Sequence, residues 1–552
     1  MNIDVLQKRI RLPELRNKVT SAEAAAEHVK DGMTVGMSGF TLAGCVKSVP
    51  HAIAKKAATH PLKISVITGA SLGNDVDSAL TNAGVMARRS PFQTDRTLRN
   101  AINRGEIMYV DNHLSETGEQ LRRQQVKPVD VAIIEAVSIT ESGEIVPTAS
   151  VGNNEIFAAQ AKKVIVEVNL SYSLEMEGAH DIYCASHFPN AAPIGIMSPR
   201  DRVGSIGISV PPEKIVAIVI TDEMDTPSQN LPPDGETAQI AGHLIDFFKN
   251  EIKHGRLTQN LRPLQSGIGT IANAVMSGLQ TGPFSHLTMY SEVLQDSTFE
   301  LIDAGMMDFA SATAITLSDQ KSREVFGNFG RYKKHVVIRP QRISNHPEVI
   351  QRLGIITINT ALEADIYGHV NSTHVMGTHM MNGIGGSGDF THNAHTAIFV
   401  TKSVAKGGVI SSIVPMVPHV DHTEHDVDIL VTEVGLADLR GLAPRERAQT
   451  IISNCVQGEY KDMLKDYVRE ANLRGGQTPH VLEKALSWHP VSYTHLSLQN
   501  TLCQRPEPQK LSAIPTKRRF MSQSIWTVPV ARILQPAFRF SITCWIKSPV
   551  TV

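Results

Sequence analysis

The residue with the clearest potential for chemistry is Glu292, in the segment MYSEVLQD (289–296). The apolar stretch from Leu287 to Tyr290 predicts a strand, and Ser291 followed by Glu292, Val and Leu predicts a capped helix start. A carboxylate there would lie outside a strand end, where open α/β sheets bind ligands, and the helix dipole would favour its ionised form. Such a carboxylate can act as a nucleophile. The alternative is an ordinary glutamate in the first turn of a helix.

Glycine-rich turns form a second group of candidates. The segment NGIGGSGDF (382–390) contains a literal GxGxxG, but no clean strand precedes it and no acidic residue lies at 400–406, so a dinucleotide fingerprint is not favoured. Such a turn can instead bring backbone N–H groups to an oxyanion or a thioester carbonyl, or it can be a tight turn that needs positive φ. QSGIG (265–269), GFTLAG (39–44) and TGASLG (68–73) could likewise cradle a substrate or only turn the chain.

Three histidines suggest a metal site but do not predict one. His419, His422 and His425 recur every third residue in HVDHTEHDVD (419–428), so on a helix they could face one way and bind a metal. The segment lies between two predicted strands, which leaves little room for a helix, and HExxH is absent. We therefore predict no metal site and a hydrogen-bonded loop in the wall of the active site.

The elements that must position these residues alternate between strands and helices. Short, almost continuous Val- and Ile-rich runs predict strands covered on both faces, and hence a largely parallel sheet with helices on each side. These runs are 64–71, 129–139, 163–170 and 214–221 in the first half, and 286–296, 311–317, 335–340, 354–362, 396–403, 409–417 and 427–435 in the second. Helices are predicted after the Ser90-Pro91 turn, from Ile240 to a stop at Gly255, from Gly441, and over 481–488.

This pattern predicts an α/β fold with two domains. We expect an N-terminal α/β domain over 1–225, a linker and helix over 226–260, and a C-terminal α/β domain over 261–490 that carries Glu292. The tail over 491–552 differs, because from Leu496 onward it has eight Lys or Arg, one acidic residue and no hydrophobic period. A basic arm is one interpretation, but a disordered or non-native end is favoured.

Composition excludes several classes of protein. The net charge of −1 and pI near 7.1 give no global field to hold nucleic acid or an anionic membrane. Five scattered cysteines without a CxxC pair argue against a disulfide framework or zinc knuckle and suit a reducing cytosol. No apolar run approaches the ~20 residues that span a bilayer, and the start of the chain does not resemble a secretory signal. A cytoplasmic protein is predicted.

Several segments together resemble the acetyl-CoA hydrolase/transferase family, within the class I CoA-transferases, and in particular the bacterial succinate or acetate CoA-transferases. The resemblance spans about residues 15 to 488. The matching segments are TGAS (68–71), QSGIG (265–269), YSEVLQD (290–296), RISNHPEVI (342–350), DIYGHVNSTHVMGT (365–378), MNGIGGSGDF (381–390), SVAKGG (403–408), VPHVDHTEHDV (417–427) and GLADLRGLAPRERA (435–448). It implies a pair of open α/β/α domains of the CoA-transferase type with the active site between them, in a homodimer.

The resemblance also implies roles for single residues. Glu292 matches the catalytic glutamate, and Gly386 matches a glycine whose N–H forms an oxyanion hole with that of Ile268. Asn345 matches a polar residue of the active site. The implied contacts of coenzyme A are Leu264, Gln265, Ser266, Gly267, Ile268, Leu362, Asn382, Gly386 and Lys406.

The implied reaction moves coenzyme A between an acyl-CoA and a small carboxylic acid through a covalent glutamyl-CoA thioester, without a tightly bound cofactor. Glu292 is expected to be ionised at neutral pH, since an unperturbed glutamate titrates near pH 4.3. Three alternatives remain. Water could resolve the same intermediate, which would make the protein an acyl-CoA hydrolase. The chain could be a non-catalytic CoA-binding protein, and a NAD-dependent oxidoreductase is the least favoured.

Overall fold

Two parallel sheets, each covered by helices, organise the chain in this computed structural model, which describes residues 3–184, 192–229 and 233–489. The N-terminal sheet has the strand order β4-β3-β2-β1-β5-β7-β8, with β6 antiparallel to β5. Its strands are β1 Thr34–Met37, β2 Ile64–Thr68, β3 Met86–Ser90, β4 Met108–Tyr109, β5 Val131–Ile139, β6 Ile145–Pro147, β7 Lys163–Asn169 and β8 Ile215–Thr221.

The C-terminal sheet repeats this arrangement with the order β12-β11-β10-β9-β13-β14-β15-β16, in which only β16 is antiparallel to its neighbour. In both sheets the first strand lies in the middle and the chain then builds outward on one side before it crosses to the other. The strands are β9 Leu264–Ser266, β10 Leu287–Tyr290, β11 Met307–Ala312, β12 Val336–Ile338, β13 Ile356–Thr360, β14 Thr396–Val400, β15 Ile429–Val431 and β16 Leu436–Asp438.

Helices connect the parallel strands, and short strand pairs extend the loops. The α-helices are Ile3–Arg9, Ala22–Ala26, Ser48–Ala57, Val76–Asn82, Arg96–Asn103, Leu114–Arg122, Asn154–Gln160, Gly235–Lys253, Thr270–Gly278, Asp296–Asp303, Asp319–Gly327, Phe329–Tyr332, Gln341–Ser344, Pro347–Leu353, Ser387–Asn393, Pro444–Cys455 and Gly458–Arg474. The short strands are Val293–Leu294, Ala314–Ile315, Glu363–Asp365, Val370–Asn371, His374–Val375, His379–Met380, Val404–Ala405, Ile410–Ser411 and Ile413–Val414.

The fold class predicted from the sequence is confirmed. Side chains of β5 are buried along its whole length, because helices cover both faces of the sheet. One apolar cluster runs through both halves and includes Val137 and Ile218 beside Ala312 and Ile338. Two helix predictions need correction: no helix begins at Ser291, and residues 482–487 form turns, preceded by Val481, which is buried in the core.

Hydrogen bonds to Asp225 fix the segment that follows β8. Lys47 Nζ donates to Glu135 at 2.5 Å and to Asp225 at 2.9 Å, and the N–H of Gly44 donates to Asp225 at 2.6 Å. Lys47 and Glu135 have almost no exposed surface, so the ion pairs replace the solvation that both groups lose.

The domain boundaries at 225 and 260 stay predictions, and the predicted tail over 491–552 lies outside the described residues.

A long helix follows the segment that contains Asp225. Gly235–Lys253 begins at Asp234, whose carboxylate accepts the N–H of Thr237 at 2.8 Å, as an N-cap residue does. Its apolar face buries Ile240, Leu244, Ile245 and Phe248. Gly255, at φ +71°, follows its end, where the sequence predicted a stop.

Candidate active site

The candidate site lies where the strand order of the C-terminal sheet reverses. β9 is the first strand of this sheet and lies between β10 and β13, so the loops after these three strands meet at the carboxyl edge where open α/β sheets bind ligands. Glu292 follows β10, the turn at Gly267 and Ile268 follows β9, and Leu362 follows β13. The strand order therefore gathers three predicted site segments that are distant in the sequence.

Glu292 is held by strand pairing and not by a helix. Its backbone carbonyl accepts the N–H groups of Thr313 and Ala314 at 2.9 and 3.0 Å, because Val293–Leu294 pairs with Ala314–Ile315 as a short parallel strand. The next helix starts only at Asp296. The predicted helix dipole at Glu292 is therefore absent, and the carboxylate projects from a fixed, extended segment.

An amide and a glycine contact the Glu292 carboxylate. Asn345 Nδ2 donates to Glu292 Oε1 at 2.6 Å, and Asn345 itself is fully buried. A Cβ atom built on Gly386 would overlap both the Glu292 carboxylate and Asn345 Nδ2, so only glycine fits beside the carboxylate. The structure thus brings together three of the predicted catalytic residues.

The surroundings make Glu292 harder to ionise than an ordinary glutamate. Burial raises the pKa of its carboxyl to about 8, the hydrogen bond from Asn345 acts in the opposite direction, and the charge of Asp389 raises it further. The sequence-based expectation of a carboxylate already ionised at neutral pH is therefore wrong for the free protein.

Asp389 is a part of the site that the sequence did not reveal. Asn345 Nδ2 also donates to Asp389 Oδ2 at 3.2 Å, so one amide group lies between two carboxylates. The N–H and hydroxyl of Ser115 donate to Asp389 at 3.0 and 2.6 Å. Burial raises the pKa of Asp389, whereas the Ser115 hydrogen bonds oppose that change. The glycine motif contains this aspartate, but only the fold shows its partner in the N-terminal half.

The N-terminal half also contacts the glycine-rich loop through Asp111 and His113. The N–H of Ile384 donates to both carboxylate oxygens of Asp111 at 3.0 Å each, and the ring of His113 lies against Gly388. Neither residue has a sequence signal, because the relevant spacing exists only after folding. The site is therefore built from both halves of the chain.

The N–H groups predicted to form an oxyanion hole are not used in the hydrogen bonds of the described residues. Within the residues that the structure describes, the backbone N–H groups of Ile268 and Gly386 donate to no protein acceptor. The turn after β9 is fixed beside the Glu292 segment, since Gln295 Nε2 donates to the Gly267 carbonyl at 2.9 Å. Leu264, Gln265 and Ser266 form β9 itself and are buried.

The remaining predicted CoA contacts lie around this centre. Ile268 and Leu362 are 45 % and 37 % exposed, so both leave apolar surface open to a ligand. Asn382 Nδ2 donates to the carbonyls of Ser372 and Gly383 at the start of the glycine-rich loop. Lys406 is exposed on a separate hairpin and forms no ion pair with any described residue.

The histidine-rich loop lies beside the glycine-rich loop, and the N-terminal loop GFTLAG contacts the C-terminal half. His422 is buried and its Nε2 lies 3.1 Å from Ser387 Oγ, next to Gly386, while the His419 ring packs on His374. No group of three or more metal-ligating side chains converges among residues 3–184, 192–229 and 233–489. Thr316 Oγ1 donates to the Thr41 carbonyl at 2.8 Å, so GFTLAG packs against the C-terminal half.

Comparison with known proteins fits this geometry. Residues 3–220 match the N-terminal domain of the acetyl-CoA hydrolase/transferase family, and residues 322–468 match its C-terminal domain. The chain belongs to the acetyl-CoA hydrolase/transferase family. It is therefore an enzyme of this family, and the family resemblance predicted from the sequence is confirmed.

Named relatives cover most of the chain. The chain is 49 % identical to a succinyl-CoA:acetate CoA-transferase of Clostridium kluyveri over 488 residues, 88 % of this chain and 91 % of that protein. It is 42 % identical to a propanoyl-CoA:succinate CoA transferase of Escherichia coli, over 85 % of this chain and 96 % of that protein. It is also 44 % identical to an acetyl-CoA hydrolase of Schizosaccharomyces pombe, over 87 % and 96 % respectively.

Solved structures support the fold. RipA from Yersinia pestis matches with a TM-score of 0.66 and 19 % identity, over 86 % of this chain and all of that chain. A 4-hydroxybutyrate CoA-transferase from Porphyromonas gingivalis matches with a TM-score of 0.59 and 20 % identity, over 83 % of this chain and 99 % of that chain.

No helix in the described ranges is both long and apolar enough to cross a membrane.

Proposed function

We propose that this enzyme is a CoA-transferase that moves coenzyme A between a short-chain acyl-CoA and a free carboxylate, with Glu292 as the nucleophile. The acyl-CoA would be succinyl-, acetyl- or propionyl-CoA, and the acceptor would be acetate or succinate. The observation that carries the proposal is the contact of the Glu292 carboxylate with Gly386 and Asn345. The names of the relatives from C. kluyveri and E. coli support the same class of reaction.

The proposed reaction begins when Glu292 loses its proton and attacks the acyl-CoA carbonyl. The C–S bond breaks, which gives an acyl-glutamyl anhydride and CoA thiolate. The thiolate attacks the glutamyl carbonyl, so that a glutamyl-CoA thioester forms and the first acid leaves as its carboxylate. A second carboxylate then runs these steps in reverse and carries the CoA away.

Each step passes through a tetrahedral oxyanion that needs a hydrogen-bond donor. The free N–H groups of Ile268 and Gly386 would supply it, and one such donor is worth ~3 kcal/mol. Asn345 would hold the Glu292 carboxylate in one orientation through its 2.6 Å hydrogen bond. Positioning of this kind lowers the entropic cost of the attack.

The proposed path of coenzyme A follows the surface of the C-terminal half. The segment from Leu264 to Ile268, together with Leu362, would lie along the pantetheine arm, since Ile268 and Leu362 leave apolar surface exposed for its methylene groups. Asn382 would contact the arm by hydrogen bonds, and the unpaired cation of Lys406 suits a phosphate. A cytoplasmic homodimer without a tightly bound cofactor completes the proposal.

An acyl-CoA hydrolase is the second candidate, because the relative from S. pombe and a protein from Saccharomyces cerevisiae at 41 % identity are named acetyl-CoA hydrolases. Water would then resolve the glutamyl intermediate. A direct assay distinguishes the two candidates: the protein is given propionyl-CoA with and without acetate, and acetyl-CoA and free CoA are measured together.

The proposed nucleophile is tested by trapping. Incubation with acyl-CoA alone should add the mass of coenzyme A, less water, to a peptide that contains Glu292, and fragmentation should place it on that residue. Glu292→Gln should show no adduct, whereas the exposed control Glu324→Gln should behave as the unmodified protein does. In the assay with propionyl-CoA and acetate, acetyl-CoA should form faster than free CoA. Unmodified peptide together with full activity in Glu292→Gln would refute the mechanism.

A further inference from the structure

A cavity of about 360 Å³ lies in the N-terminal half, outside the site described above. It is bounded by the central strands β1, β2 and β3 and by the chain from Val110 to Lys127, which includes the helix Leu114–Arg122. None of the residues assigned to catalysis or to coenzyme A lines it. Its size falls in the range of small-ligand pockets and is too small for a whole coenzyme A.

The walls of this cavity carry positive charge and no negative charge. Arg88 and Lys127, both exposed to solvent, line it at its rim, and in the described part of the chain neither forms an ion pair. No Asp or Glu is among the lining residues, whose polar groups are hydroxyls and amides such as Ser65 and Asn112. Two unpaired cations at one pocket favour a ligand with two negative charges.

A buried hydroxyl in the lining lacks a hydrogen-bond partner. Thr117 is 4 % exposed, and its Oγ1 has no partner among the described residues. Buried hydroxyls are normally satisfied, and this one can reach a ligand atom only when the Thr117 side chain turns toward the cavity that the residue lines. This observation is independent of the two cations and points to the same cavity.

We propose that this cavity is a binding site for a small dianion, a dicarboxylate or a phosphate monoester. The guanidinium of Arg88 pairs with one anionic group in a fork geometry, and Lys127 neutralises the second charge. Thr117 and Asn112 donate hydrogen bonds to the remaining oxygens. The proposal adds a second site to the enzyme and does not depend on which acyl-CoA it uses.

The chain between the cavity and the catalytic loop connects the two sites. In this extended stretch alternate residues point to opposite sides. Val110 and Asn112 line the cavity, whereas Asp111 and His113 contact the glycine-rich loop at Ile384 and Gly388. A ligand that fixes Asn112 therefore also fixes the wall against which the loop with Gly386 rests, so that binding should change the order of that loop.

Calorimetric titration tests the binding site. Glycerol 3-phosphate and malonate represent the two kinds of dianion, with neutral glycerol and monoanionic acetate as controls. We expect one or both dianions to bind, at least tenfold more weakly in Arg88→Gln/Lys127→Gln. The matched control Lys249→Gln/Arg323→Gln removes the same charge from remote exposed helices and should bind as the unmodified protein does. Absence of binding up to 10 mM (about −3 kcal/mol), or equal loss in both double variants, would overturn the proposal.

A milder variant separates ligand binding from folding. Thr117→Val keeps the shape of the side chain, so it should weaken the dianion several-fold and raise the Tm of the free protein, because the unpaired hydroxyl is removed. Without dianion, Arg88→Gln/Lys127→Gln should keep the basal transferase rate within twofold. Preference for glycerol 3-phosphate would identify a phosphate monoester as the ligand class, and preference for malonate a dicarboxylate.

Hydrogen exchange tests the connection to the catalytic loop. Saturation with the dianion that binds should slow exchange in the peptide over 381–390 at least threefold, since the N–H of Ile384 donates to Asp111. The Arg88→Gln/Lys127→Gln variant should show no change at the same concentration. Unchanged exchange in the unmodified protein at saturation would refute the coupling between the two sites.

Discussion

Replacement of Asp389 by asparagine should make the nucleophile ionise at lower pH. Asp389 and Glu292 each accept a hydrogen bond from Asn345 Nδ2, at 3.2 and 2.6 Å, so the two accepting oxygens are at most about 6 Å apart. At an effective dielectric constant of about 20, two such charges repel by roughly 3 kcal/mol, or about 2 pH units. Glu292 is partly exposed and the solvent screens this repulsion, so we expect Asp389→Asn to lower the pKa of Glu292 by about 1 unit.

The dependence of kcat/KM on pH measures this change, because it reports groups that ionise in the free enzyme. For the unmodified protein, kcat/KM for acyl-CoA should rise with pH, reach half its maximum near pH 8, the pKa of Glu292, and level off above that pH. In Asp389→Asn the curve should level off about 1 unit lower. The control Asp319→Asn removes a carboxylate from an exposed helix and should leave the curve in place. An inflection that stays or moves upward in Asp389→Asn would contradict the assignment of Asp389 as a source of the shift.

Three further substitutions test the site and the fold. Gly386→Ala should lower kcat/KM about 100-fold or more, because its Cβ would displace the Glu292 carboxylate. The control Gly327→Ala adds a Cβ in open space and should leave kcat/KM unchanged. Near-normal activity of Gly386→Ala would exclude the contact. Glu292→Gln should stabilise the protein by about 3 kcal/mol at pH 9 but little at pH 5. The reason is that the raised pKa of Glu292 makes folding of the unmodified protein less favourable as the pH rises from about 4.5 to 8. Equal Tm gains at both pH values would contradict this. Lys47→Met should lower the free energy of unfolding by about 3–5 kcal/mol, because it leaves buried carboxylates such as Glu135 without a cation, and an unchanged Tm would refute it.

Most strands could be predicted because they are buried on both faces. The Val- and Ile-rich runs at β5, β7, β8 and β13 carry that signal directly. The central strand β1 was missed since it is short and contains Gly36, whose missing side chain makes room for Phe157. β3 was missed because it reads MARRS, yet Arg89 is fully buried and donates to Asp77. Such a buried ion pair has no periodic pattern in the sequence.

The candidate site was predictable in its C-terminal parts alone. Glu292, Asn345 and Gly386 stand in recognisable segments, whereas Ser115 and Asp111 come from the other half of the chain and enter the site only through the tertiary fold. The helix predicted at Glu292 failed for a similar reason. Val293 and Leu294 find strand partners at Ala314 and Ile315, and this tertiary pairing overrides the local preference.

The crowding of two carboxylates around Asn345 also affects how long a covalent intermediate would persist. An acyl or CoA group on Glu292 removes its charge, so the modified residue no longer bears the cost of burial or the repulsion from Asp389. Relative to an exposed glutamate, that cost of about 3 kcal/mol shifts the equilibrium between free carboxylate and thioester roughly 100-fold toward the thioester at pH values above 8. The protein would thus store coenzyme A on its own side chain at little energetic loss, long enough for a second acid to arrive.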